Sequence, residues 1–151
     1  MKLLALVGSG DKVMLFTLPF LVVGLILNVM FPAFFAVGGP SDTLRAVAIA
    51  MLVVGVPIWI WSVVLILTKA SKGELITGGP FALVKHPLYT SVALLVVPAI
   101  GLLLDSWLGV VVGLAMYVAS RRYSPLEEKE LARTFGDAWD QYCKTVKLPW
   151  L

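Results

Sequence analysis

The chain is short of the residues that most enzymes rely on. Its 151 residues include one cysteine, Cys143, and one histidine, His86. A single cysteine excludes an internal disulfide and leaves the redox compartment open. No Cys/His cluster exists to hold a metal ion. Charged residues make up 14% of the chain, against about 25% in soluble domains. There is no internal repeat and no low-complexity tract, and nothing is left over for a second domain. The opening residues 1–10 are too short for a signal-peptide core followed by a cleavage site and are expected to be retained. With 60% hydrophobic residues, the composition is that of a polytopic membrane protein.

Charge is absent altogether from four stretches, 13–37, 46–68, 88–104 and 107–120. The first two are long enough to cross about 30 Å of hydrocarbon. Pro19 and Pro32 kink the first or trim its end, and Pro57 kinks the second. Residues 38–42, Gly-Gly-Pro-Ser-Asp, read as a turn. The last two stretches sit at or below the lower length of about 17 residues and read as a tight helical hairpin broken at Asp105-Ser106. Because no ionisable residue lies inside any of the four, a proton-coupled transporter is disfavoured. Four crossings would put both termini and the loop after the second span on one side. That side holds Lys2, Lys12, Lys69, Lys72, Lys85, Arg121, Arg122, Lys129, Arg133, Lys144 and Lys147, while the other holds only Arg45. The crowded side is expected to be cytoplasmic.

Between the second and third stretches lies the most informative segment, residues 75–89, L-I-T-G-G-P-F-A-L-V-K-H-P-L-Y. Gly78-Gly79 permits positive φ and a close approach of ligand to backbone. Pro80 and Pro87 fix φ, and His86 must enter Pro87 extended. Pro87 suits the first turn of a helix, so Lys85 and His86 fall at a helix N-terminus, where free N–H groups favour an anion. Farther on, Ser124-Pro125-Leu126-Glu127 reads as a capping box opening a helix over 125–147. Leu131, Phe135, Ala138, Trp139, Tyr142 and Val146 give that helix one apolar face; Gly136 is a point where it bends. Folded back over the loop, it would bring Glu127 and Glu128 near Lys85 and His86.

The assembled pocket would hold a glycine-lined backbone, the Lys85–His86 pair, Tyr89, the Arg121–Arg122 pair and the Glu127–Glu128 pair. It suits a ligand bearing both charges. Each residue also has a plainer role. His86 can be an interfacial histidine, and Lys85, Arg121 and Arg122 can anchor helix ends against anionic lipid. Glu127 serves equally as capping partner or as ligand. Tyr89, Trp107 and Trp139 fit an interfacial belt, and the tail's apolar face fits packing. Cys143 reads as a bystander.

The pattern G-P-F-x-x-x-K-H-P-x-Y over 79–89, followed by E-E-x-x-L-x-x-x-F-G-x-x-W-x-x-Y over 127–142, resembles the isoprenylcysteine carboxyl methyltransferases and, more distantly, the phospholipid N-methyltransferases. The likeness covers the chain from about residue 75 onward. It implies a small integral membrane enzyme, which the uncharged stretches and the tail make an all-α protein of four transmembrane helices, the last two a short hairpin, with a cytoplasmic C-terminal amphipathic helix. It further implies S-adenosylmethionine held by Gly79, Lys85, His86, Pro87, Tyr89, Glu127 and Glu128. The acceptor would be a lipophilic small molecule or a prenylated or lipid substrate drawn from the bilayer; no nucleic-acid partner is expected. Methyl transfer from a sulfonium needs alignment and exclusion of water. A carboxylate acceptor would be positioned by Arg121 or Arg122, and an amine would lose its proton to Glu128. Two departures stand out: Lys85 where the family usually has arginine, which loses the bidentate fork, and Ser91 where it usually has glycine. Two other classes fit parts of the pattern. Sterol reductases, which use NADPH, share a His-Pro-x-Tyr element but are much larger. The other is a non-enzymatic four-helix membrane protein, such as a transporter subunit, against which stands the lack of any ionisable residue inside a span.

Overall fold

A computed structural model describes residues 10–39 and 41–151. Expectations for Lys2 and Pro40 lie outside the described residues. Among those described, all regular structure is helical. Helix α1 is Gly10–Met30, α2 is Pro32–Phe35 and α3 is Asp42–Lys69. Helix α4 is Pro87–Leu103, with a π-helical turn over Val92–Val96. Helix α5 is Leu108–Phe135 and α6 is Asp137–Thr145. Helix α1 and the segment Asp42–Lys72, which is α3 with its closing turn, are long and apolar enough to cross a membrane. Little of either is buried. Met14, Leu15 and Val29 of α1 and Val53 and Trp61 of α3 are all more than half exposed. So much outward apolar surface suits a lipid surround rather than water.

The helices pack as a chain of neighbours: α1 on α5, α5 on α4, and α4 on α3. Small residues set the closeness of the inner contacts. A Cβ on Gly113 would run into the carbonyl oxygen of Ala93, and one on Gly101 would lie 2.5 Å from Cα of Gly109. A Cβ on Gly55 would come within 2.7 Å of Leu95 Cβ. Backbones this close gain van der Waals contact where lipid offers no hydrophobic drive. Thr17 and Ser62 return their hydroxyls to the carbonyls of Val13 and Ile58, so α1 and α3 bury no unpaired hydroxyl there.

One end of the molecule is a closed knot of turns. Asp105, at φ +55, accepts hydrogen bonds from the backbone N–H groups of Val37 and Gly39, both at 3.1 Å. Ser106 donates to the Asn28 side chain at 2.8 Å. The Trp107 backbone and indole N–H groups donate to the carbonyls of Phe35 and Phe34. Ser41 caps α3 by accepting from Leu44 N–H at 3.2 Å.

Several sequence boundaries shift. The first apolar stretch is not one helix to residue 37: α1 stops at Met30 and Pro32 starts α2. Pro19 and Pro57 sit inside α1 and α3. The expected helix 125–147 does not start at a capping box. Ser124 is buried inside α5, which passes through Pro125 without a break. Pro125 offers no N–H to the Arg121 carbonyl, and both residues are exposed. The break comes instead at Gly136, at φ +50, whose N–H closes α5 on the Ala132 carbonyl at 2.9 Å. Glu127 is therefore a mid-helix residue and not a capping partner.

Candidate functional site

At the end opposite the knot, the loop after α3 and the tail after α5 fold together. The loop carries two short 3-10 turns, Ala70–Lys72 and Gly79–Ala82. Only the second glycine of Gly78-Gly79 uses a left-handed φ, +63. A Cβ on Gly79 would stand 3.1 Å from the Trp61 ring, so this glycine seats the loop against α3. The tail then holds the loop by three successive carbonyls. Tyr142 donates its hydroxyl to Phe81 at 2.9 Å. Lys147 N–H donates to Ala82 at 3.3 Å and Leu148 N–H to Leu83 at 2.8 Å. Trp139, Tyr142 and Val146 form the buried cluster beneath, with Leu75, Leu131 and Phe135 packed on it.

This assembly encloses a cavity of about 280 Å³, near the small end of ligand sites, which run from about 300 to 1,000 Å³. Helix α3 contributes Val63, Ile66, Leu67 and Ala70, and the loop contributes Glu74, Leu75, Ile76 and Phe81. Lys85, His86, Pro87, Leu88 and Tyr89 form the floor at the start of α4. Glu127, Leu131 and Phe135 come from α5, Trp139 and Tyr142 from α6, and Gly10 from α1. The apolar face of the tail is thus both packing and cavity wall.

The charged centre is compact. His86, at φ −125 and ψ 61, is neither helical nor fully extended, so it leaves the helical region before Pro87 without reaching the expected extended form, and Pro87 begins α4; the residue is 8% exposed. Its Nε2 lies 3.2 Å from Glu128 Oε1. Lys85 Nζ donates to Glu128 Oε2 at 2.9 Å and stands 5.9 Å above the Trp139 ring. The His86 and Tyr89 rings are 6.3 Å apart. Burial pushes the Glu128 carboxyl up, but hydrogen bonds from His86 and Lys85 and the charge on both outweigh it and draw the group down to about 2. Burial raises the phenol of Tyr142 and the thiol of Cys143, so both rest protonated at neutral pH. Cys143 is thus a poor nucleophile.

Of the residues expected from sequence, Lys85, His86, Pro87, Tyr89 and Glu127 line the cavity, and Glu128 binds two of them from behind. Gly79 is not on the wall. Arg122 and its neighbour Arg121 are exposed on α5 and do not line the cavity. Four lining residues carried little signal in the sequence as site residues. Glu74 lies one residue past Gly73, and the helix-ending Gly-x pair marks its placement only in retrospect. Phe81, Trp139 and Tyr142 belong to the two motifs but read equally as packing.

Among the described residues, no group of three or more His, Cys, Asp or Glu side chains is placed to hold a metal ion. No curated protein and no solved structure matches the chain. The model of the isoprenylcysteine carboxyl methyltransferase (ICMT) family matches residues 41–133. That segment runs from the cap of α3 almost to the end of α5 and contains all three partners of the Lys85–Glu128–His86 centre. Covering more than half of the chain, it shows that the chain belongs to the isoprenylcysteine carboxyl methyltransferase family.

Proposed function

We propose that the cavity binds S-adenosylmethionine and that the chain passes its methyl group to a carboxylate on a prenylated or lipid acceptor. The supporting observation is the convergence of Lys85, His86 and Glu128 on a cavity with both aromatic and acidic walls. The lining fits the cofactor's parts. A flat base would lie among Phe81, Tyr89, Phe135 and Trp139. A carboxylate suits Lys85 and His86, while an ammonium and ribose hydroxyls suit Glu127. S-adenosylmethionine supplies a methyl group already activated on a sulfonium, so the protein's tasks are alignment and exclusion of water.

The state of Glu128 favours one acceptor class. A carboxyl held near pKa 2 by two donors is a weak base at neutral pH and serves an amine acceptor badly. A carboxylate acceptor needs no base. Glu128 is then a positioning residue that fixes the Lys85 ammonium and the His86 ring toward the cavity. Arg122, on the exposed face of α5, would meet an incoming acid only at the surface. We place four crossings in the bilayer, with the cavity on the cytoplasmic side. Of the described cations, Arg45 alone is near the knot, and the other ten belong to the loop, the tail and the helix ends beside them. The acceptor would enter sideways from lipid.

Calorimetric titration of detergent-purified protein with S-adenosylhomocysteine tests this, with His86→Ala alongside. Saturable binding that the variant loses is the expected result. No binding to folded wild type would remove the methyltransferase reading and make NADPH the next ligand to try.

A further inference from the structure

Glu74 belongs to neither sequence block, yet it stands on the cavity wall. Its backbone is fixed. Gly73, at φ +76, donates its N–H to the Ala70 carbonyl at 3.0 Å, and Glu74 N–H donates to the Lys69 carbonyl at 3.2 Å. This pair of bonds is the Schellman ending of a helix, with glycine in the left-handed position. An acid is electrostatically misplaced there, because a helix C-terminus carries partial negative charge and favours cations. The end of α3 and the 3-10 turn that follows it do carry Lys69 and Lys72, both exposed and off the cavity wall. Glu74 comes just after them and lines the cavity. Glu127 lines the same cavity from α5, and the Lys85 ammonium on its floor is bonded to Glu128. A region rich in cations thus carries a cavity with acids on two walls.

Resting on the function proposed above, we infer that Glu74 is a specificity-determining residue: its charge favours the cationic methyl donor over the neutral thioether product. In the transfer, the sulfur–methyl bond breaks with its electron pair left on sulfur, and a carboxylate lone pair forms the new oxygen–methyl bond. The sulfonium's positive charge and the acceptor's negative charge disappear together. Donor and product share their ammonium, carboxylate, ribose and base, so only the sulfonium charge gives Glu74 a means to tell them apart. A carboxylate at the cavity wall holds the donor and lets the spent product go.

The test is a titration of wild type, Glu74→Gln and Glu74→Lys with S-adenosylmethionine and, separately, S-adenosylhomocysteine. Glu130→Gln is the control, since Glu130 is exposed and paired with Arg133 away from the cavity. The donor should weaken about two- to fivefold in Glu74→Gln, as an exposed charge allows, and further in Glu74→Lys. The product should change less, so the affinity ratio falls in the order Glu, Gln, Lys. The effect should fade toward 1 M salt, where the screening length is about 3 Å. A ratio unchanged across the series, or lowered equally by Glu130→Gln, overturns the inference while leaving the methyltransferase reading intact. Wild type that binds neither ligand overturns both.

Discussion

The two ends of the helical bundle use polar groups in opposite ways. At the knot, each one named meets a partner inside the chain: Asp105 takes two backbone donors, Ser106 takes Asn28, and Trp107 takes two carbonyls. At the other end, Lys85 and His86 share a single carboxylate and still line open volume beside Glu74 and Glu127. Polar groups that consume one another hold a fold together; those that converge on a space are available for a ligand. The contrast separates residues that matter for stability from residues that matter for chemistry, and each can be altered alone.

The largest effect should come from what joins the two ends. Gly113→Leu would drive a side chain into the Ala93 carbonyl and the Pro98 ring. We expect a cost above the 1–3 kcal/mol of ordinary overpacking, seen as loss of the folded peak in size-exclusion chromatography. Next is the cavity end alone. Glu128→Gln should lower S-adenosylhomocysteine affinity about tenfold, in line with the 1.5–3 kcal/mol of a charged hydrogen bond, while the melting temperature moves by a few degrees at most. The knot should show the reverse. Asp105→Ala removes the acceptor of two N–H groups and should cost about 1–3 kcal/mol in thermal or denaturant unfolding, with the Kd for ligand within twofold of wild type. Loss of affinity without loss of stability in Asp105→Ala would break the contrast.

A finer test uses pH. The folded-state carboxyl of Glu128 lies near 2, below its ordinary value of 4.5. Its contribution to stability is therefore fully present above about pH 4.5 and is lost as pH falls toward 2. The difference in melting temperature between wild type and Glu128→Gln should shrink across that window and stay constant above it. The smallest change expected is from Lys85→Arg, which supplies a planar fork to the same carboxylate. Ligand affinity should rise by no more than about threefold, and a large loss would mean that the cavity floor has no room for guanidinium.

The helices were legible because uncharged runs leave little other choice, and the loop was legible because Gly79, Pro80 and Pro87 each instruct the backbone. The meeting of Lys85, His86 and Glu128 could be foreseen from the two motifs and the requirement that loop and tail share an end. Ser124-Pro125 misled because a capping box is a local signal, while packing along α5 buries Ser124 and keeps the helix running. Gly136, treated as a bend, ends that helix because its φ of +50 is paired with a ψ of −124, a combination that glycine adopts readily and a side chain resists. The packing of Gly79 against the Trp61 ring was not legible, because a glycine's use is set by its neighbour, which no spacing reveals. Glu74 was missed for a similar reason: its importance follows from the turn before it placing it on a wall whose other members lie up to 68 residues away, at Tyr142.

The bonds from Tyr142, Lys147 and Leu148 to the loop carry a consequence for biosynthesis. Translation proceeds from the N-terminus, so the Phe81 carbonyl is made 61 residues before the hydroxyl that will satisfy it. Through that interval all of α4 and α5 must be synthesised while three loop carbonyls wait for the partners that the tail will bring. The cavity closes last. A ribosome that stalls within α5 would leave a nascent chain whose apolar helices α1, α3 and α4 are already made but whose cavity does not yet exist.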